Sequence, residues 1–308
     1  PGHLKNVINS FQVEKVFHAA AYKHVPLVER NIIEGVRNNV VGTWQVANAV
    51  AESNASELVM ISSDKAVRPT NVMGATKRLA ELIIQGFADQ AREKATGKKF
   101  SMVRFGNVLR SSGSVVPLFE SQIMKGGPVT VTHPETTRYF MTCGEASELV
   151  IQACAMSVGG EIFVLDMGEP VLIKDLAEKM IHLHGRIVGP TTDSVDRDLV
   201  VDIHYIGLRP GEKLIEELVI GDNISGTRHP KILQAREDGI TWASLEALCE
   251  ELIGACKAAD YLTVKRLLEE YVAGYIMADE TYDRGFAQSR QKPVDRAKIV
   301  RLEDHKPG

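Results

Sequence analysis

Short apolar runs alternate along the chain with longer segments whose apolar positions recur every three or four residues. Residues 13–20 (VEKVFHAA) and 57–63 (ELVMISS) are of the first kind and close on small residues, which suits buried parallel strands better than helices. Between them, Val36, Val40, Val41, Trp44, Val46, Ala47 and Val50 fall at helical intervals and predict a helix over 35–53. A second long helix is predicted over 73–94, feeding a strand at 100–105 (FSMVRF). This rhythm predicts the α/β class: a doubly wound parallel sheet, covered on both faces, with right-handed crossovers.

After Gly106 the elements shorten. Helices are predicted at 115–124, 144–156 and 173–182, extended pieces at 129–132 and 139–142, and one more strand at 161–165. The expected organisation is a sheet domain over 1–106, to which about 143–166 return, and a smaller lobe over 107–276. That lobe ends in a helical hairpin, 242–256 and 262–271. From 277 to 308 the pattern loses its period and turns polar, which predicts a disordered tail.

Charge and composition remove several classes of function. Lys and Arg number 36 against 40 Asp and Glu, a net charge of −4 with no basic run, so no nucleic-acid partner is expected. No stretch approaches about 18 uninterrupted apolar residues, and PGHLKNVINSFQ lacks the pattern of a signal peptide. No membrane contact is expected from this segment. Cys143, Cys154, Cys249 and Cys256 lie far apart without a CxxC pair, so reduced, mostly buried thiols are expected and no metal site.

Ligands of doubly wound sheets bind beyond the carboxyl ends of the strands. The first strand closes on His18-Ala19-Ala20-Ala21-Tyr22-Lys23-His24, where small side chains let a flat cofactor approach and Lys23 can meet a phosphate. A tightly packed turn accounts for this segment equally well. The second closes on Ser62-Ser63-Asp64-Lys65, then a Pro/Asn loop and a helix opening Met73-Gly74-Ala75-Thr76-Lys77. Hydroxyl, carboxylate and ammonium together can supply orienting donor, acid and base. A helix cap with a surface ion pair is the commoner meaning of an isolated Ser-Asp-Lys; its place at a strand end and Lys77 one turn beyond Met73 favour chemistry.

The order of these motifs resembles the extended short-chain dehydrogenase/reductase family. The segments HAAAYKHVPLVE, ISSDKAVRPTNVMGATKRLAE, VRFGNVLRSSGSVVPLF, TRYFMT, GGEIFVLDMGEPVLIKDLA and GLRPGEKLIEEL are similar to its polysaccharide-biosynthesis (CapD-like) branch, the UDP-N-acetylglucosamine 4,6-dehydratases. The resemblance spans roughly residues 13–275. It implies a Rossmann-type sheet with a substrate-binding lobe and C-terminal helices. Two departures stand out. The tyrosine of the family's Tyr-x-x-x-Lys is Met73 here, which cannot exchange a proton, as in the larger, often membrane-anchored members. The Gly-rich turn that seats a dinucleotide pyrophosphate is absent, and the chain opens just before the family's fourth strand. An N-terminally truncated chain is therefore expected, short by about 60 residues or more at ~30 per βαβ unit.

The resemblance implies dehydration of UDP-N-acetylglucosamine to a 4-keto-6-deoxy sugar for surface polysaccharide, with NADP or NAD tightly held and regenerated in each turnover. Lys65 would take the carbon-5 proton, Asp64 would protonate the leaving hydroxyl, Ser63 would bond the carbon-4 oxygen, and Lys77 would hold the nicotinamide ribose beside Ala19, Ala20 and Ala21. Those roles need Lys65 lowered and Asp64 raised from their ordinary pKa values, and replacing either is expected to leave stability nearly intact. Substrate contacts fall to Lys23, Asn107, Ser114, Val115, Val116, Arg138, Arg209 and Glu212; His24, His133 and His229 are assigned to structure. A UDP-sugar 4-epimerase and a catalytically inactive nucleotide-binding module are the alternatives, the fragment alone is expected to be weakly active or inactive, and a homo-oligomer is expected. The location is cytoplasmic, with attachment to the inner face of a membrane through a preceding segment as the variant.

Overall fold

The computed structural model describes residues 2–190, 199–219, 223–278 and 283–291. A six-stranded sheet runs in the order Lys15–His18, Glu57–Ile61, Lys99–Arg104, Ile162–Leu165, Ile232–Ala235, Ile224–Gly226. The first four strands are parallel, and the last two add antiparallel at the edge. The three inner parallel strands are buried nearly throughout because both faces are covered, as the short runs predicted. The antiparallel pair carries no sustained alternation and was not anticipated. Strand 15–18 forms the other edge, leaving Phe17 45% exposed.

One face is covered by helix Val72–Glu93, by a continuous helical segment over 32–51, and behind them by helices Trp242–Ala258 and Tyr261–Tyr271. Helix Cys143–Met156 covers the other face. A third core joins helices Val115–Met124 and Ile173–Leu183 to the small strands Val129–Val131 and Val200–Val201, forming the lobe above the sheet. Helix Gly2–Ser10 packs on helix Gly42–Ala51 through buried Ile8 and lies outside the predicted elements.

The polar tail holds more structure than its composition indicated. Arg284–Gln291 is a helix whose Phe286 is buried edge-on against Tyr261, and the Asp283 carboxylate accepts from the Ile32 N–H at 2.8 Å. One aromatic anchor and one buried hydrogen bond suffice where periodicity is weak. Residues 279–282 and 292–308 of that tail lie outside the described residues.

Candidate active site

Strand 57–61 delivers the Ser-Asp-Lys segment at its carboxyl end, where Asp64–Ala66 make one 3-10 turn. Ser63 caps that turn, accepting from the Lys65 N–H at 3.2 Å, and its hydroxyl donates to Asp64 Oδ1 at 2.7 Å. Lys65 Nζ donates to the same carboxylate oxygen at 2.9 Å. Asp64 is fully buried. It is therefore part of the packed structure, which removes the premise of exposure behind the expectation that its replacement leaves stability nearly intact.

Helix 72–93 starts on Asn71, whose side-chain oxygen accepts from the Gly74 N–H at 2.8 Å. A Cβ at residue 74 would stand 2.2 Å from the Lys65 carbonyl oxygen, so glycine is what lets the first turn lie against the Lys65 loop. Met73 and Lys77 then face one cavity from successive turns. Lys77 Nζ donates to the Ile61 carbonyl at 2.5 Å. Burial pulls its pKa down to about 8, against the opposing pull of Glu81.

That cavity, of about 1110 Å³, is slightly larger than the usual range for one drug-sized ligand. Ser63 and Lys65 line it at the strand end; Ala19, Ala21, Lys23 and His24 line it beyond strand 15–18. Ala20 and Asp64 do not line it. The Ala20 carbonyl instead accepts from Asn38 at 2.9 Å. From the lobe side Asn107, Ser114, Val115, Arg138, Arg209 and Glu212 face the same space. Val116 turns the other way, into the core with Phe119 and Ile123. His133 and His229 each accept a local backbone N–H, from Glu135 and Lys231, at 3.2 Å.

Arg138 and Glu212 are committed to building the loop that closes the lobe. Arg138 donates to the carbonyls of Thr137, Lys213 and Leu214 and to Glu212 Oε1 at 2.6 to 3.1 Å. Glu212 also accepts from the Thr132 hydroxyl at 3.0 Å and the Arg209 N–H at 3.1 Å. Thr70 and Asn71 donate to the Gly211 carbonyl and stitch this loop to the start of helix 72–93. Among the described residues the Arg209 guanidinium makes no ion pair, which leaves it able to receive an anion.

Two residues at this site escaped the sequence reading. Asn39 sits in a π-type turn at Arg37–Val41; its amide accepts from the Tyr22 N–H at 2.7 Å and donates to the Tyr22 carbonyl and to Thr76 at 3.0 and 2.9 Å. It thereby fixes the loop after strand 15–18 to helix 72–93. Such turns recur at functional sites, but an Asn inside an apolar helical pattern carries no sequence mark of one.

The second is Glu216. It lines the cavity and is 4% exposed, with Oε1 3.7 Å from Lys65 Nζ and 3.9 Å from Arg138 Nε; Oε2 is buried without a hydrogen bond. Its neighbour Glu217 is only half-buried and pairs with Arg68. The run LIEEL does not tell the two apart. Burial pushes the Glu216 carboxyl up, and Asp64 adds to this, against Lys65, Arg138 and Lys213. For Lys65, burial pulls down but the carboxylates of Asp64 and Glu216 outweigh it, so the group stands above its ordinary value and the lowering expected from sequence is reversed.

The family model of polysaccharide biosynthesis proteins matches residues 2–237. Capsular polysaccharide biosynthesis protein CapD of Staphylococcus aureus is 50% identical over 251 residues, covering 81% of this chain and 40% of that protein. A UDP-glucose 4-epimerase of Rickettsia prowazekii is 35% identical over 214 residues, 69% of this chain and 58% of that protein. Among solved structures, Pen from Bacillus thuringiensis is 32% identical with a TM-score of 0.66, over 80% of this chain and 77% of that one. The dTDP-glucose 4,6-dehydratase DesIV of Streptomyces venezuelae, solved with NAD, shares the fold at 17% identity and a TM-score of 0.59, over 85% and 79%. The chain thus spans about 40% of the length of its capsular relative.

Proposed function

The chain belongs to the polysaccharide biosynthesis protein family, and from that premise we propose that it carries the catalytic centre of a nucleotide-sugar 4,6-dehydratase acting on UDP-N-acetylglucosamine. The observation that carries this reading is an amine set between two carboxylates at the edge of one cavity: Lys65 Nζ lies 2.9 Å from Asp64 and 3.7 Å from Glu216. Elimination of water needs a base for one proton and an acid for another; moving hydrogen on and off a single carbon does not.

The residues present fit the nicotinamide end of NADP or NAD. Ala19 and Ala21 leave a flat wall, and Lys77 reaches the carboxyl end of strand 57–61 beside it. When bound, the dinucleotide supplies a two-electron acceptor for hydrogen from sugar carbon 4 and a donor to carbon 6. Lys77 holds its ribose, and its ammonium favours negative charge on the carbon-4 oxygen. Ser63 orients that oxygen. The ketone at carbon 4 acidifies carbon 5, whose proton passes to Lys65. Met73 keeps the wall apolar and takes no part in proton transfer. Arg209 and Lys23 receive the diphosphate from opposite sides, Asn107 and Ser114 meet the uridine end with Val115 against the base, and Arg138 and Glu212 keep Arg209 in place.

A 4-epimerase is the second reading, favoured by the relative of that name in Rickettsia. Lys65 set between Asp64 and Glu216 weighs against it, because epimerisation needs neither a base at carbon 5 nor an acid at carbon 6. The full-length protein, incubated with UDP-N-acetylglucosamine, is expected to give a product about 18 mass units lighter, the loss of one water. A product of unchanged mass and altered sugar configuration overturns the dehydratase reading.

A further inference from the structure

We propose that Glu216 is the acid that protonates the departing carbon-6 hydroxyl, and that it shares one proton with Lys65, while Asp64 serves to position both Lys65 and Ser63. This rests on the dehydratase reading and assigns a residue to one of its steps.

Three observations separate the two carboxylates. Glu216 faces the cavity, and Asp64 does not. Asp64 Oδ1 is occupied, accepting from both Ser63 Oγ at 2.7 Å and Lys65 Nζ at 2.9 Å. Its second oxygen lies under Gly106, where an added Cβ would come within 3.2 Å of it, of Met167 and of Tyr139. A carboxylate enclosed in this way can orient an amine but cannot reach a sugar hydroxyl. Glu216 keeps Oε2 buried and without a hydrogen bond, as Asp64 keeps Oδ2, but only Glu216 lines the cavity into which a substrate hydroxyl comes. A buried carboxyl oxygen without a partner is costly unless it carries a proton or meets a donor. Burial, with Asp64 nearby, favours the protonated form of Glu216; Lys65, Arg138 and Lys213 oppose it.

Lys65 and Glu216 hold one proton between them, as ammonium with carboxylate or as amine with carboxylic acid. Enclosure by substrate penalises the charged form of each, so it favours the neutral pair. In that form the site owns a base and an acid together. The carbon-5 to hydrogen bond breaks, its proton goes to Lys65 Nζ, and its electrons form the double bond to carbon 6. The carbon-6 to oxygen bond breaks, its electrons leave with oxygen, and the Glu216 proton completes a water molecule. Lys65 is then an ammonium facing a carboxylate. The Lys65 proton goes back to carbon 5 as hydrogen reaches carbon 6, and Glu216 is recharged by the one proton that the carbon-4 hydroxyl gives up on oxidation, so the turnover is neutral. For Lys65 and Glu216 to share a proton directly, the 3.7 Å between them must close by roughly 0.8 Å to reach hydrogen-bond distance.

Glu216→Gln tests this, because the amide keeps size and polarity but has no proton to give. In a single turnover of full-length protein loaded with cofactor, nicotinamide absorbance reports the carbon-4 step and product mass reports loss of water. The expected result is carbon-4 oxidation within about threefold of wild type and water loss slowed by at least about 100-fold, the scale of a missing general acid. Glu216→Asp is expected to recover part of the second rate. Water loss near the wild-type rate in Glu216→Gln overturns the proposal while leaving the dehydratase reading intact. Equal loss of both steps, with an unchanged melting temperature, also overturns it and reduces Glu216 to a support for Lys65. Failure of wild type itself to lose water defeats the underlying reading instead.

Discussion

Lys77 holds its ammonium, largely buried, against the Ile61 carbonyl, and the price is a pKa near 8. Below that pH the charge that would favour an oxyanion is present; as pH rises through 8 it is lost. The kcat/KM profile of the full-length protein is therefore expected to show an alkaline limb close to pH 8. A limb displaced above about pH 10, where an exposed lysine titrates, would assign the limb to another group. Neighbouring positions show how far residue types alone carry such an argument. Ser63, Lys65, Met73 and Lys77 could be picked out because a strand end is where ligands bind. Glu216 could not, since its distinction from Glu217 lies in burial, which a two-residue acidic run does not encode.

Among the elements, the junction between the Lys65 loop and helix 72–93 is the tightest. The backbone of Gly74 lies where a methyl group would collide with the Lys65 carbonyl at 2.2 Å and with Pro69 at 3.0 Å. Gly74→Ala must push the helix start away from the loop, and through Asn71 from Gly211 as well. A loss of stability of about 1–3 kcal/mol is expected, as for other overpacked sites, read as a lower urea midpoint together with weakened turnover. An unchanged midpoint would mean that the loop yields freely and that the close approach does not hold Lys65. Helix 72–93 was legible because its periodicity is long and strong, and the inner strands because each is a short, mainly apolar run between periodic segments. The edge strands Ile224–Gly226 and Ile232–Ala235 and the helix Gly2–Ser10 were not, because they are short and owe their form to the neighbours they pair or pack with.

Across the whole molecule, a buried ionic network ties the site to the antiparallel edge. Glu81 accepts from Ser62 and Arg104 at 2.6 to 2.7 Å; Arg104 reaches on to Glu237 at 2.5 Å, and Arg78 bridges both glutamates. Burial alone would raise the Glu81 carboxyl, but Arg104, with Arg78 and Ser62, holds it down at about 2, against an ordinary value of 4.5. A depressed carboxyl stabilises the fold in full above 4.5 and loses that contribution as pH falls from 4.5 towards 2. Those values correspond to about 3 kcal/mol. Stability by urea titration is expected to fall across this window, and Glu81→Gln to flatten that fall while costing about 3–5 kcal/mol at neutral pH. A variant with the same acid slope would place the titration elsewhere. By itself the sequence determined the α/β class, the parallel inner strands, the long helix and the strand-end chemistry, because periodicity and local residue types are properties of contiguous chain. Only the tertiary structure decided that Asp64 is enclosed, that Glu216 meets Lys65 from a segment about 150 residues away in the chain, and that Arg138 is spent on its own loop. Burial and through-space charge arise between segments brought together by folding, and no local pattern records them.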